Sequence, residues 1–142
     1  MNTIINAVKN MSTFSKLLWV ALIIWALWEL AQFYRRKKSA TALENEEFNQ
    51  NLRKVQLIDV RQRDEYNAGH ILGARSIPLM ELKQRYKELR QDRPIYLYED
   101  GAYGAYRAAI ILKKYGYTDL YVLKNGFKNW EGRIKRNKSL ED

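Results

Sequence analysis

The chain begins with one long apolar run, and short apolar runs alternate with polar stretches over the rest of it. Residues 17–28 are twelve apolar residues without a charge, and Glu29 interrupts a run that otherwise continues to Tyr34. From Phe14 to Tyr34 there are 21 residues. As an α-helix they would be about 31 Å long, close to the thickness of the hydrocarbon core of a bilayer. The pattern therefore predicts a single transmembrane helix over residues 14–34.

The flanks of this run support the prediction and indicate an orientation. Aromatic side chains lie towards its ends, as is common at membrane interfaces: Trp19, Trp25, Trp28, Phe33 and Tyr34. The basic cluster at 35–38 follows directly, whereas only Lys9 and Lys16 precede the run. Because cytoplasmic flanks are enriched in Lys and Arg, the residues after 38 are predicted to lie in the cytoplasm, beneath a bacterial-type cell membrane.

Three alternatives to a spanning helix fit the apolar run less well. A cleaved signal peptide needs a cleavage site of small residues, and residues 27–38 offer none. An amphipathic surface helix needs a polar face, which residues 17–28 lack. A buried helix of a soluble core stays open, because the charge-free run is short. Length and flanks favour an uncleaved membrane anchor.

One acid, Glu29, lies within the run, about 9 Å inside the end marked by Arg35. An acid at this depth commonly faces a neighbouring helix or a water-filled cavity, which would make Glu29 a partner-binding residue. Alternatively, its side chain extends towards the interface and the basic cluster. Both interpretations remain open from the sequence.

After the basic cluster, predicted strands alternate with predicted helices. Strands are predicted at 55–60, 74–79, 94–98 and 119–123, from short runs of apolar and β-branched residues. Helical segments are predicted within 39–54, at 63–70, 79–90 and 105–116, and as a final turn at 125–130. Such alternation with short connections is typical of an α/β fold with a mostly parallel sheet flanked by helices.

Composition restricts the chemistry more than the fold. The chain of 142 residues contains no cysteine, which excludes disulfides, thiolate metal sites and a cysteine nucleophile. His70 is the one histidine, so a histidine-built metal site is disfavoured, and no metal or cofactor is predicted. The net charge of +9 suggests an anionic neighbour, either lipid headgroups or nucleic acid.

Two separated stretches resemble the signatures of rhodanese-like domains. The first, at 57–79, contains Asp59-Val60-Arg61, then Glu65-Tyr66, then Gly69-His70-Ile71. The second, at 116–130, ends in the glycine and tryptophan that close the family's pattern, the latter being Trp130. The resemblance covers roughly 43–130 and implies a small α/β domain with a parallel sheet between helices. The predicted organisation is an extracytoplasmic segment (1–13), a transmembrane helix (14–34), a basic juxtamembrane linker (35–42), a rhodanese-like domain (43–132) and a basic tail (133–142).

The resemblance fails at the position that carries the family's chemistry. In active members a cysteine opens a six-residue loop and accepts a sulfane sulfur as a persulfide, while backbone amides and a helix N-terminus hold the negative charge. An ungapped alignment places Glu99 at that position. The corresponding loop here is Glu99, Asp100, Gly101, Ala102, Tyr103, Gly104. Places that are usually basic in active loops fall on Asp100 and Gly104.

These departures predict that the domain is not an enzyme. Persulfide chemistry requires a thiolate, and two acids in the loop would repel thiosulfate. Acids at a helix N-terminus are instead stabilised by about 0.3–1 kcal/mol each, so the loop can fold without a bound anion. The alternative is a sulfurtransferase-type enzyme of the same family that works without the usual cysteine.

The remaining motif residues are assigned structural roles. Asp59 and Arg61 are predicted to form an internal hydrogen-bonded pair, His70 to be a partly buried hydrogen-bonding residue, and Trp130 to belong to the core or its cover. Tyr103 and Tyr106, three positions apart at the start of a helix, can share a face. Tyrosine suits protein interfaces, so these two are predicted to bind a partner unless they pack the core instead.

The basic tail adds Arg133, Lys135, Arg136 and Lys138, which can lie near anionic headgroups. Contact with RNA or a ribosome is the weaker alternative, because no nucleic-acid motif accompanies the charge. We therefore expect a membrane-tethered, non-catalytic rhodanese-like domain that acts as a protein-binding adaptor or as an accessory subunit of a membrane complex. A structural subunit whose helix makes the main contact is a further alternative.

Overall fold

The computed structural model describes residues 1–137, which divide into two compact units, Met1–Arg35 and the remainder of the chain. The helices are α1 (Asn2–Lys9), α2 (Thr13–Ser39), α3 (Asn45–Gln50), α4 (Arg63–Ala68), α5 (Leu82–Arg85) and α6 (Tyr103–Lys114). The strands are β1 (Thr41–Leu43), β2 (Gln56–Asp59), β3 (His70–Ile71), β4 (Arg75–Ser76), β5 (Ile95–Tyr98), β6 (Leu120–Leu123) and β7 (Ile134–Lys135). Single 3-10 turns lie at Leu52–Lys54, Leu79–Glu81, Tyr86–Glu88 and Phe127–Asn129.

The N-terminal unit contains one helix that is long and apolar enough to cross a membrane. The segment Thr13–Arg35 has 23 residues and a mean hydropathy of 1.6, and its most apolar window has no buried residue. A core helix of a soluble protein would be mostly buried, so the exposure of this helix disagrees with that alternative. The helix α1 precedes it and was not predicted. Its apolar side chains Ile4, Ile5 and Val8 are also exposed.

The second unit is built on a five-stranded parallel sheet with the strand order β1-β6-β5-β2-β4. In the centre, Leu57 of β2 lies opposite Tyr96 of β5, and Tyr96 lies opposite Tyr121 of β6. Because all neighbours in this sheet are parallel, every strand ends at one edge, here called the carboxyl edge, and begins at the other, the amino edge. The predicted α/β fold is confirmed.

Helices cover both faces of the sheet and form two cores. On one face, α6 presents small residues at helical spacing, Ala105, Ala108 and Ala109, so that its backbone packs closely against β5 and β6. On the other face, Phe48 of α3 is fully buried against Tyr96. The central strand β5 is therefore buried along its whole length, which explains its continuous run of large side chains.

The structure also contains strands that the sequence did not predict. The strand β1 lies in the segment that was interpreted as linker and short helix, and it pairs with β6 at the edge of the sheet. The strands β3 and β7 form a separate antiparallel ribbon. The segment 35–42 is thus occupied by the end of α2 and the start of β1, although the domain limits themselves stay predictions.

The predicted amphipathic helix over 79–90 is wrong. The segment is a 3-10 turn, the four-residue helix α5 and a second 3-10 turn. Both Leu82 and Leu89 are buried. The side-chain amide of Gln56 donates to the carbonyl of Arg90 at 2.8 Å, and its oxygen accepts from the backbone N–H of Arg90 at 2.8 Å. The backbone N–H and carbonyl of Arg90 therefore bond to the side chain of Gln56 in β2, and not within a helix.

Gly126, directly after β6, has a φ of +73°, and a Cβ there would collide with the backbone carbonyl of Asp100. We expect Gly126→Ala to lower the free energy of unfolding by about 2–4 kcal/mol, from backbone strain and the collision together. Gly73→Ala is the matched control, because Gly73 also has a positive φ but has nothing within 4 Å of the added methyl group. Gly73→Ala should lower the free energy of unfolding by about 1 kcal/mol. Urea unfolding of the detergent-solubilised chain compares the two, and equal losses would contradict the predicted collision.

Candidate functional site

The carboxyl ends of β2 and β5 bring Asp59, Arg61 and the start of the predicted loop together. Asp59 lies opposite Tyr98 in the sheet, and the backbone N–H of Val60 donates to the carbonyl of Tyr98 at 3.1 Å. The loop that begins at Glu99 therefore starts beside the Asp59 end of β2. The helix α6 begins at Tyr103, two residues earlier than the sequence indicated, so the last two residues of the predicted loop belong to its first turn.

The side chain of Glu99 lies inside the loop. A Cβ added to Gly104 would collide with Oε2 and Cδ of Glu99, so the carboxylate lies directly against the backbone of Gly104. Gly104 is buried in the first turn of α6. Negative charge is favourable at that end of a helix, where the first backbone N–H groups have no partner within the helix. Gly101, in contrast, is exposed and has nothing within 4 Å of an added Cβ.

Arg61 is the cation of this site, and it is buried. Its Nε donates to Oδ1 of Asp59 at 3.1 Å, and its Nη2 donates to Oδ2 of Asp59 at 2.8 Å. Nη2 also donates to the carbonyl of Gly69 at 2.6 Å, while Nη1 is 3.4 Å from Oδ1 of Asp100. The guanidinium carbon lies 4.2 Å from the centre of the Phe127 ring. Burial on its own lowers the pKa of Arg61, but the hydrogen bond and charge of Asp59 offset this and leave that pKa raised.

The segment after β6 holds the loop from its other side. The backbone N–H of Phe127 donates to the carbonyl of Glu99 at 2.7 Å, and that of Lys128 donates to the carbonyl of Asp100 at 3.4 Å. Gly126 allows this close approach. The sequence did not identify Gly126 or Phe127 as site residues. The signal that could have found them is their position directly after a strand, because the ends of parallel strands meet at one edge.

The other motif residues make structural contacts. Glu65 accepts a hydrogen bond from the backbone N–H of Gln62 at 3.1 Å and completes a capping box on α4. His70 is buried in β3, its Nδ1 lies 2.8 Å from the carbonyl of Tyr66, and its ring stacks on the Tyr66 ring at 3.8 Å. Trp130 is half-buried and packs edge-on against Phe48, with the ring centres 5.9 Å apart.

The tyrosines near the loop divide between surface and core. Tyr103 is 56% exposed, with the Arg107 guanidinium carbon 5.9 Å from its ring centre. Tyr106 is half-buried against the core, and burial raises its pKa.

Tyr96 and Tyr98 are buried, and the hydroxyl of Tyr98 accepts from the backbone N–H of Ile71 at 3.0 Å. Burial, with the charge of Asp59, raises the pKa of Tyr98 well above its usual range.

The remaining candidates lie elsewhere. Glu29 is part of α2 in the N-terminal unit. Of the basic tail, Lys135 belongs to β7 and the carbonyl of Arg133 accepts from the backbone N–H of Leu72 at 3.1 Å, so this part is tied to the domain. Lys138 lies outside the described residues. Within residues 1–137, no three acidic or histidine side chains are grouped as metal ligands.

Comparison with known proteins identifies the domain. The family model of the rhodanese-like domain matches residues 44–133. The chain is 47% identical over 122 residues to the uncharacterised protein YqhL of Bacillus subtilis, covering 84% of this chain and 97% of YqhL. It is 32% identical over 76 residues to the thiosulfate sulfurtransferase GlpE of Shewanella oneidensis, covering 54% of this chain and 75% of GlpE.

The solved structures agree. The rhodanese-like domain of the Anabaena protein Alr3790 superposes with a TM-score of 0.62 at 27% identity, covering 67% of this chain and 78% of that one. The present chain contains no cysteine and so lacks the thiol on which active rhodaneses rely. With the sheet order, the family match and the solved relatives in agreement, this chain belongs to the rhodanese-like domain family.

Proposed function

We propose that this protein is a membrane-anchored, non-catalytic rhodanese-like domain that binds a protein partner, as an adaptor or as an accessory subunit of a membrane complex. The observation that carries the proposal is the position of Glu99. Its carboxylate lies against Gly104, in the interior of the loop where an active relative would hold the charge of a substrate. A loop that already holds a carboxylate repels a second anion, and the chain has no thiol to transfer sulfur.

Asp59 and Arg61 support this interpretation because their contacts are structural. Both side chains are almost fully buried, and the carboxylate of Asp59 is bound on two atoms by the guanidinium. Arg61 also reaches the carbonyl of Gly69 and the carboxylate of Asp100, another acid of the same chain. The partners of the Arg61 guanidinium thus all belong to this chain. We assign Arg61 the role of holding the loop rather than that of binding thiosulfate.

The anchor is supported by the helix Thr13–Arg35 and by the similarity to YqhL. The region aligned with YqhL has 122 residues. The family match covers residues 44–133, and nine residues follow it, so these two parts together are shorter than the aligned region. The similarity therefore extends into the N-terminal third and includes at least part of the apolar segment. The basic residues at 35–38 favour a cytoplasmic position of the domain.

The partner surface is assigned to the exposed mouth of the loop, centred on Tyr103. An exposed tyrosine beside an arginine offers a large contact area with a polar tip, which is typical of residues that contribute strongly to protein interfaces. Tyr106 contributes its exposed part, while the rest of its ring supports the core. Glu29 is a second contact point if the anchor packs against another helix.

The first prediction of this proposed function concerns catalysis. Transfer of sulfur from thiosulfate to cyanide should be undetectable with the full-length protein, because no thiolate is available. Glu99→Cys should recover only trace turnover, since Asp100 and Gly104 leave the loop without a positive charge. Glu99→Cys combined with Asp100→Lys should then exceed Glu99→Cys alone by about tenfold or more, because it exchanges a repulsive charge for an attractive one. Strong turnover by the unchanged chain, or by Glu99→Cys alone, would contradict the proposal.

The second prediction concerns the buried ion pair. Arg61→Leu leaves the carboxylate of Asp59 buried without its partner and should lower the free energy of unfolding by about 3–5 kcal/mol. Arg63→Leu is the control, because Arg63 pairs with Glu81 at the surface, where water screens the charges, and its loss should change the free energy of unfolding far less. Urea unfolding curves give both values. Similar stability of the two variants would show that Arg61 does not hold the loop.

The third prediction tests partner binding by crosslinking in native membranes. Tyr103→Ala should reduce the crosslinked partner by about tenfold or more, since a central tyrosine often contributes about 2 kcal/mol or more to an interface. Tyr115→Ala, an exposed tyrosine just beyond the far end of α6, is the matched control and should retain the crosslink. A chain lacking residues 1–38 separates the two units. If the crosslink depends on residues 1–38 and not on Tyr103, the helix rather than the domain makes the main contact.

A further inference from the structure

The chain enters the domain at the amino edge of the sheet. The helix α2 ends at Ser39, and β1 begins at Thr41. Ser39 is buried, and Nζ of Lys113 donates to the carbonyl of Lys38 at 2.9 Å. The entry point is therefore tied to the C-terminal end of α6, and all of these contacts lie within the second unit.

Three further segments meet at the same edge. Residues 53–54 precede β2, residues 90–94 precede β5, and residues 115–119 precede β6. The side chain of Gln56 donates to the carbonyls of Arg90 at 2.8 Å and Arg93 at 3.3 Å. The backbone N–H of Ile95 donates to the carbonyl of Asp119 at 2.9 Å. These bonds join the segments into one continuous surface.

This amino-edge surface is strongly basic. Its exposed cations are Lys38, Arg53, Lys54, Arg90, Arg93, Lys113 and Lys114. The acids in the same segments are Asp92, which pairs with Arg90 at 2.6 Å, and Asp119. The carboxyl edge is different, because acids there offset the cations: Asp59 and Asp100 lie beside Arg61, and Glu44 pairs with Lys124. The domain is thus electrically polarised along the direction of its strands.

We propose that the amino-edge surface docks on the anionic headgroups of the membrane that holds the anchor. The inference rests on the proposed membrane anchoring. The chain enters the domain at this surface, and Lys38 belongs both to the surface and to the basic cluster at 35–38 that follows the apolar run. Its excess of cations is complementary to acidic lipids, whose attraction for Lys and Arg falls off within a Debye length. Docking in this way turns the carboxyl edge, with Tyr103, away from the bilayer and towards the cytoplasm.

The absence of cysteine makes a direct test available with the full-length chain. Thr118→Cys places one thiol on the amino-edge surface, and Gly101→Cys places one at the carboxyl edge, where a side chain meets nothing within 4 Å. Each is labelled with a fluorophore and reconstituted into phosphatidylcholine vesicles that carry a headgroup quencher, with or without about 30% phosphatidylglycerol.

The label at residue 118 should be quenched at least about threefold more than the label at 101 when phosphatidylglycerol is present, and the difference should fall at about 0.5 M salt. Arg93→Glu with Lys114→Glu, in the Thr118→Cys background, should abolish the extra quenching. Arg107→Glu with Lys128→Glu changes the net charge equally at positions outside the amino-edge surface and should leave the quenching unchanged.

Vesicle flotation distinguishes a failure of the proposed anchor from a failure of the proposed docking. If the chain does not float with vesicles at all, the proposed anchor is wrong. If it floats but the two labels are quenched equally, or phosphatidylglycerol and charge reversal have no effect, the docking proposal is overturned while the anchor stands. Binding of a polyuridylate probe that is lost in Arg93→Glu with Lys114→Glu, with quenching unaffected, would assign the surface to nucleic acid instead and also overturn it.

Discussion

The buried guanidinium of Arg61 is the contact on which the carboxyl edge of this domain depends. It binds the end of β2 through Asp59, the end of α4 through the carbonyl of Gly69, and the loop after β5 through Asp100. It also lies over Phe127, which follows β6. A buried carboxylate is costly without a partner, so this one cation both stabilises Asp59 and determines where three connections meet.

The same arrangement explains how the loop of this domain can keep its shape without a cysteine. An anion-binding loop has to satisfy backbone N–H groups at a helix N-terminus, and a bound substrate is one way of doing so. Here the carboxylate of Glu99 lies at that end of α6, and the backbone of the loop is fastened to Phe127 and Lys128. Family membership therefore establishes the fold, while the side chains in the loop decide what the site can do.

The parallel sheet gives this domain two edges with different side chains. Since all strands of the main sheet run in one direction, the chain enters at the amino edge and the loops collect at the carboxyl edge. Exposed lysines and arginines surround the entry, whereas at the opposite edge acids offset the cations and Tyr103 is exposed. The two proposed roles, attachment to a charged surface at one edge and recognition of a protein at the other, are compatible, because the length of a strand separates the two edges.

The sequence by itself determined the apolar helix, the alternation of strands and helices, the family, and the place of Glu99 in the chain. These features are local: an unbroken apolar run, the period of a helix and the order of short motifs can be recognised without knowing what each segment touches. The tertiary structure decided the rest. Residues 79–90 have a helical pattern, but the side chain of Gln56, more than thirty positions away, takes the backbone groups of Arg90. The three residues of β1 are too short to show a period, and they form a strand because β6 supplies the partner. Gly126 and Phe127 became site residues in the same way, because their partners in the loop come from a distant part of the chain that only the paired strands bring into contact.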